Sequence, residues 1–182
     1  MSIEYNEDNL VEQATVDILA DIGWEIQTAW HNEIFGVNGN LGRENKSEVI
    51  LQKYLLVALE NLNPDLPQSA YKDAYFQIAG READKTLDRT NKEKYELIKS
   101  GVKVSFTNDK GELTKKTLKV FDFNNPDNNH FLAVRQLEVT GELYNRRPDV
   151  VGFVNGIPLV FFELKAHTRD LRHAYDDNLK DY

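Results

Sequence analysis

With 182 residues the chain is long enough for one domain with its own core, and 41% apolar against 29% charged residues is an ordinary globular balance. Cysteine is absent, which excludes a disulfide framework and a thiolate metal site. A formal charge of -8 argues against nonspecific nucleic-acid binding by the chain as a whole; no apolar run approaches the roughly 18 residues that span a bilayer, and the acidic start MSIEYNEDNLVEQ lacks a signal-peptide pattern, so a cytoplasmic location with no membrane is expected.

Residues 7–23 are predicted as a helix, with Leu10, Val11, Ala14, Ile18 and Ile22 as its apolar stripe, Gly23 as its stop, and Glu12 off the stripe's centre. Trp24 to Phe35 reads as a short extended segment and GVNGNLGREN as a loop. A second helix is expected over 46–62, its face traced by Val49, Ile50, Lys53, Tyr54, Val57, Ala58 and Leu62, and NPDLP ends it. Further helices are expected over 68–79 and 91–100. From Val102 the period changes to two, which predicts strands over 102–106, 117–123 and 131–139. RRPDVVGFVNGIPLVFFELKAH then reads as a hairpin turned at Asn155-Gly156, and residues 168–181 as a final helix. Helices, strands and a helix in that order indicate an α/β (mixed α+β) fold with a central mixed sheet flanked by helices.

The hairpin carries Asp149, Glu163 and Lys165, three charges that are costly to bury alone. Two ionised carboxylates about 4 Å apart repel by on the order of 4 kcal/mol at an effective dielectric of 20, so they share a proton, separate or hold a cation. A few oxygen ligands completed by water suit Mg²⁺, one ion or two, and the Leu164 carbonyl is a further candidate ligand. Lys165 shares a strand face with Glu163 and stands beside the metal. Register decides whether the acids meet. A plain two-residue turn pairs Val154 with Ile157 and Asp149 with Phe162, leaving Glu163 on the other face. A G1 bulge at Gly156, beside a Pro158 that lacks an N–H, shifts the count by one. Asp149, Glu163 and Lys165 are therefore expected on one face, with Val160, Phe162 and Leu164 on the other. The blander alternative is a set of solvated strand-end charges. The Glu-x-Lys caps an apolar strand that is expected to be central.

RRPDVVGFVNGIPLVFFELK closely resembles the nuclease motif of the restriction (R) subunit of type I restriction-modification enzymes, within the PD-(D/E)xK superfamily. NLVEQATVDILADIGW, GRENKSEVILQKYLLVALENLNPDLP and FNNPDNNHFLAVRQLEV are similar to other parts of that subunit, so the resemblance covers most of the chain. It implies a PD-(D/E)xK core in one nuclease domain, 1–182, at the N-terminus of a larger subunit with ATP-driven motors. This chain has no phosphate loop, so ATP is expected only in the full-length subunit. It further implies that Asp149 and Glu163 bind the catalytic metal, that Lys165 serves the attacking water, and that Glu12 matches a helix glutamate leaning toward the metal.

A Gln-x-x-x-Tyr motif of the family corresponds to Asn178 and Tyr182, with asparagine in the glutamine position. Arg146, Arg147, Arg169 and Arg172 are candidates to hold the DNA backbone; for Arg146 and Arg147 the alternative is pairing with local carboxylates. The implied activity is Mg²⁺-dependent, type I site-specific deoxyribonuclease cleavage of double-stranded DNA, with specificity and methylation subunits as partners. The rivals are an inactive nuclease-like module that binds DNA or docks subunits, and a carboxylate-pair glycosidase, which needs an aromatic-lined sugar cleft. His31, His130, His167 and His173 read as surface histidines.

Overall fold

The first helix forms where its spacing predicts but buries a different face. The computed structural model describes residues 7–80, 85–141 and 144–164, and α1 spans Glu7–Asp21. Among its described side chains Glu12, Val16 and Leu19 are buried, while Ile18 and, just beyond the helix, Ile22 are 63% and 66% exposed. The stripe expected through Ile18 and Ile22 is thus rotated. Val16 and Leu19 pack with Ala133 and Val150, and Trp24, Ile26 and Phe162 close around them. Hydrophobicity alone points the wrong way here because the third inward residue is an acid, tolerable only when partnered.

That helix lies in the first of two compact units, which holds the residues up to Val49, Phe131–Phe153 and the chain from Pro158 on. Its sheet contains β1 (Glu25–Thr28), β4 (Phe131–Arg135), β7 (Val150–Val154) and β8 (Ile157–Phe162), hydrogen-bonded in the order β1-β4-β7-β8. β1 runs parallel to β4, with Ile26 opposite Ala133, whereas β7 and β8 form a hairpin. The sheet is therefore mixed and the fold α/β, as expected. The apolar β8 stands at one end of this order rather than in the middle, and Leu159 and Phe161 are about half exposed. A run of apolar residues does not by itself require neighbours on both sides. β4 also stops short of Val139: Gln136 takes a left-handed φ of 52°, and the chain resumes as β5 (Val139–Thr140), paired with β6 (Asn145–Arg146).

The second unit comprises Ile50–His130 and Val154–Ile157. It contains α2 (Gln52–Leu62), α3 (Gln68–Ala79), α4 (Leu87–Ser100) and the antiparallel ribbon of β2 (Val102–Thr107) and β3 (Leu113–Leu118). Leu55, Leu59, Tyr71, Ile78, Val104 and Leu118 form its core. α3 has the expected bounds. α2 starts later than residue 46, because the Lys46 and Glu48 carbonyls accept from Arg43 and Leu51 N–H donates to Gly156 O. It buries Leu55, Ala58 and Leu59, not Val57. α4 begins earlier than residue 91, at a cap where Thr86 Oγ1 accepts from Arg89 N–H. β3 lies before the expected 117–123; Lys119 is instead clamped by Asn63, which accepts its N–H and donates to its carbonyl. No helix among the described residues is long and apolar enough to cross a membrane.

The tip of the β7–β8 hairpin belongs to this second unit. Asn155 and Gly156 have φ of 51° and 78°, the two positive values of a type I′ turn. Asn155 is fully buried: its side chain donates to Val120 O and Asn129 Oδ1 and accepts from His130 N–H. A Cβ on Gly156 would stand 2.6 Å from Leu51 O and 2.8 Å from Leu55 N. Gly156→Ala is therefore expected to destabilise the chain by about 2–3 kcal/mol, combining the wrong φ with overpacking. The check is a lower urea midpoint at unchanged m.

Candidate active site

Which residues face each other across the hairpin mouth follows from contacts along its arms. A Cβ built on Gly152 would lie 3.3 Å from Val160 Cβ and 2.9 Å from the Trp24 ring. Gly152 and Val160 are therefore directly opposite and on one face. Val150 and Phe162 likewise pack in one cluster. At the turn Val154 meets Ile157, and both join the second unit's core. Two steps along β7 are thus matched by three along β8, so one extra residue is taken up between Ile157 and Val160. The expected shift is present, but its cause differs from the expected one. The turn itself is a regular I′ turn, and the slip falls beside Pro158, which has no N–H for the ladder. Continued past the strand ends at Val150 and Phe162, this register would set Asp149 opposite Glu163, with Phe162 and Val160 on the other face.

Asp149 sits at the mouth of β7, half-buried, and its Oδ2 accepts from Leu164 N–H at 2.7 Å. Its carbonyl accepts from Gln136 N–H at 2.9 Å. The Gln136 side-chain amide donates to Glu12 Oε2 at 2.9 Å and lies 3.5 Å from Asp149 Oδ1. Glu12 Oε1 accepts from Arg135 Nε at 2.7 Å. Both oxygens of the buried Glu12 are thus engaged, one by a cation and one by an amide that also touches Asp149. The left-handed backbone of Gln136, unusual for a residue other than glycine or asparagine, aims the amide into this place. Glu163 and Leu164 are half-buried at the end of β8. Among the described residues no three acidic or histidine side chains converge as a metal-holding group. The oxygen donors expected here from the sequence are the Asp149 and Glu163 carboxylates and the Leu164 carbonyl. Lys165, Arg169, Arg172, Asn178, Tyr182, His167, His173 and the helix expected over 168–181 lie outside the described residues.

Arg146 and Arg147 are found against aromatic rings. The Arg147 guanidinium lies 4.1 Å from the centre of Trp30, and that of Arg146 lies 5.0 Å from Tyr144. Of the histidines, His31 stacks on Trp30, and His130 stacks on Tyr54 in the second unit.

Sequence reading passes over four residues of this unit: Gln136, Arg135, Arg43 and Glu138. Arg43, inside a glycine-rich loop, is completely buried and grips Glu33 with two bonds of 2.5 and 2.6 Å. It also donates to the carbonyls of Lys46, Glu48 and Glu138. Glu138 pairs with Lys46, and that hydrogen bond, aided by the Lys46, Arg147 and His31 charges, holds its carboxyl below the usual glutamate range against partial burial. The only advance signal is compositional: a lone arginine among glycines and asparagines has backbone carbonyls within reach.

Residues 4–182 match the model of the family described as type I restriction enzyme R protein N terminus. The chain belongs to that family. The type I restriction enzyme HindI endonuclease subunit of Haemophilus influenzae is 36% identical over 173 residues, 93% of this chain and 16% of that protein. A protein assigned as the MjaIXP type I restriction enzyme endonuclease subunit of Methanocaldococcus jannaschii is 31% identical over 183 aligned positions, 95% of this chain and 16% of the relative. This type I R-protein N-terminal region thus spans about a sixth of the length of the curated relatives it matches. It includes all the geometry above, from Glu12 to Leu164, within the family match.

Proposed function

We propose that this R-protein N-terminal region is the nuclease of a type I restriction enzyme, hydrolysing phosphodiester bonds of double-stranded DNA. Asp149, Glu163 and the Leu164 carbonyl would hold Mg²⁺, and Lys165 would stand beside the attacking water. The observation that supports this reading is the one-residue slip in the hairpin, a register that would bring Asp149 across from Glu163 if it continues past the ends of the two strands. Two carboxylates facing each other need a counter-charge. Two carboxylates and a carbonyl, with open positions for water, fit a hard divalent ion that sheds water reluctantly.

When bound, such an ion polarises the phosphate and lowers the pKa of a coordinated water. The chain's own residues supply the rest. Leu164 N–H and Gln136 fix the Asp149 carboxylate from two directions. Glu12 acts as the positioning acid behind them, holding Gln136 and Arg135. For Glu12 to ligate an ion itself, it must release one of those donors. In the intact enzyme the proposal places ATP-driven motors in the remainder of the subunit, duplex DNA as substrate, specificity and methylation subunits as partners, and the cytoplasm as the location. The Asn178 and Tyr182 pair and Arg169 and Arg172 are proposed as DNA-facing or supporting residues.

The rival reading, a nuclease-like module without chemistry, is separated from this one by calorimetry. Mn²⁺ titrated into the chain, with and without a short duplex, is expected to bind, and Glu163→Ala is expected to erase the heat. A chain that takes up no Mn²⁺ in either condition ends the catalytic reading.

A further inference from the structure

Two neighbouring cavities, of about 290 and 250 Å³, share Lys46 and Glu138 in their walls. Trp30 and His31 line the larger; Arg146 and Arg147 line the smaller. The two guanidiniums are pre-positioned, Arg147 against Trp30 and Arg146 against Tyr144. An arginine whose guanidinium already lies against a ring loses less freedom when an anion arrives. This concentration of cations stands in a chain whose formal charge is -8. At its centre is the Glu138 carboxylate, which accepts from Lys46 and is held ionised by the Lys46, Arg147 and His31 charges together. The local field therefore favours an anion at the place where an oxygen of Glu138 now sits. Only Pro148 separates Arg147 from Asp149. Two extended residues reach roughly 7 Å, one or two nucleotides along a strand at about 3.4 Å of axis each.

We propose that Arg147, Arg146 and Lys46 form a seat for adjacent DNA backbone phosphates one and two nucleotides from the bond cut at Asp149, each arginine neutralising one of them, and that Glu138 fills the seat until the duplex displaces it. The identity of the anion rests on the nuclease reading; the seat does not depend on the metal.

The test is binding of a fluorescent duplex of about 30 base pairs to the chain, in chelator, from about 20 to about 200 mM salt. Removing one cation that neutralises a phosphate makes the slope of log affinity against log salt shallower by about 0.9. Arg147→Gln and Arg146→Gln are each expected to lower the slope by about that amount. Glu138→Gln is expected to tighten binding about fivefold, by removing a like charge close to the phosphate. Trp30 emission should change on binding in the wild type and not in Arg147→Gln. Unaltered slopes in both arginine variants overturn the seat, as does no measurable wild-type binding at the lowest salt. Unchanged affinity in Glu138→Gln overturns the placeholder role. If Mn²⁺ binds but the slopes do not move, the nuclease reading stands and the seat falls. If the slopes fall while Mn²⁺ fails to bind, the seat stands alone.

Discussion

Asp149→Asn is expected to cut DNA cleavage by at least about a thousandfold while leaving the fold intact. Asparagine keeps an oxygen for Leu164 N–H, which Asp149 now accepts at 2.7 Å, but removes the charge. Asparagine is therefore a cleaner probe than alanine, which also leaves that N–H without its acceptor. The assay uses the complete restriction enzyme with this chain as the N-terminal part of its endonuclease subunit. ATP hydrolysis and translocation are expected to persist, because the change touches only the proposed cutting site. Glu163→Ala and Lys165→Ala should behave alike. Wild-type cutting by Asp149→Asn would remove the residue from the chemistry, whatever the family resemblance suggests.

Arg43→Ala carries the largest expected effect on stability, a loss of about 3–5 kcal/mol. The guanidinium is fully buried and Glu33 is 7% exposed, so truncation leaves an ionised acid without its partner. It also releases the carbonyls of Lys46, Glu48 and Glu138, the last 95 residues away in sequence. Lysine cannot rescue, since it lacks the planar fork that meets both Glu33 oxygens. Replacing the pair together, Arg43→Met with Glu33→Leu, is expected to recover much of the loss, because the stranded charge goes with it. Urea denaturation of the wild type, Arg43→Met, Glu33→Leu and the double variant closes the cycle. A loss below about 1 kcal/mol for Arg43→Ala would mean that the pair is effectively solvated.

The two predictions probe different parts of one unit. Asp149 tests the hairpin mouth, where the cutting site is proposed. Arg43 tests the loop that leads to the wall shared by Lys46 and Glu138. A cleavage defect in Arg43→Ala would therefore be read only at temperatures where the variant is still folded.

Local signals in the sequence sufficed for part of this protein. Asn155-Gly156 announces a tight turn because both positions take positive φ, and α3 falls on the expected 68–79. These depend on neighbours within a few residues, and so the sequence carries them openly. Tertiary structure alone decided which face of α1 turns inward, since Glu12 is buried only because Arg135, 123 residues later, meets it. It decided the use of Gln136, whose left-handed backbone breaks an expected strand and aims an amide at two acids. It placed the hairpin's slip beside Pro158 rather than in the turn, and among the described residues it put an apolar strand at the end of the sheet order. In each case the free energy of a charged or polar group depends on a partner brought near by the fold, and no periodicity along the chain encodes that partner.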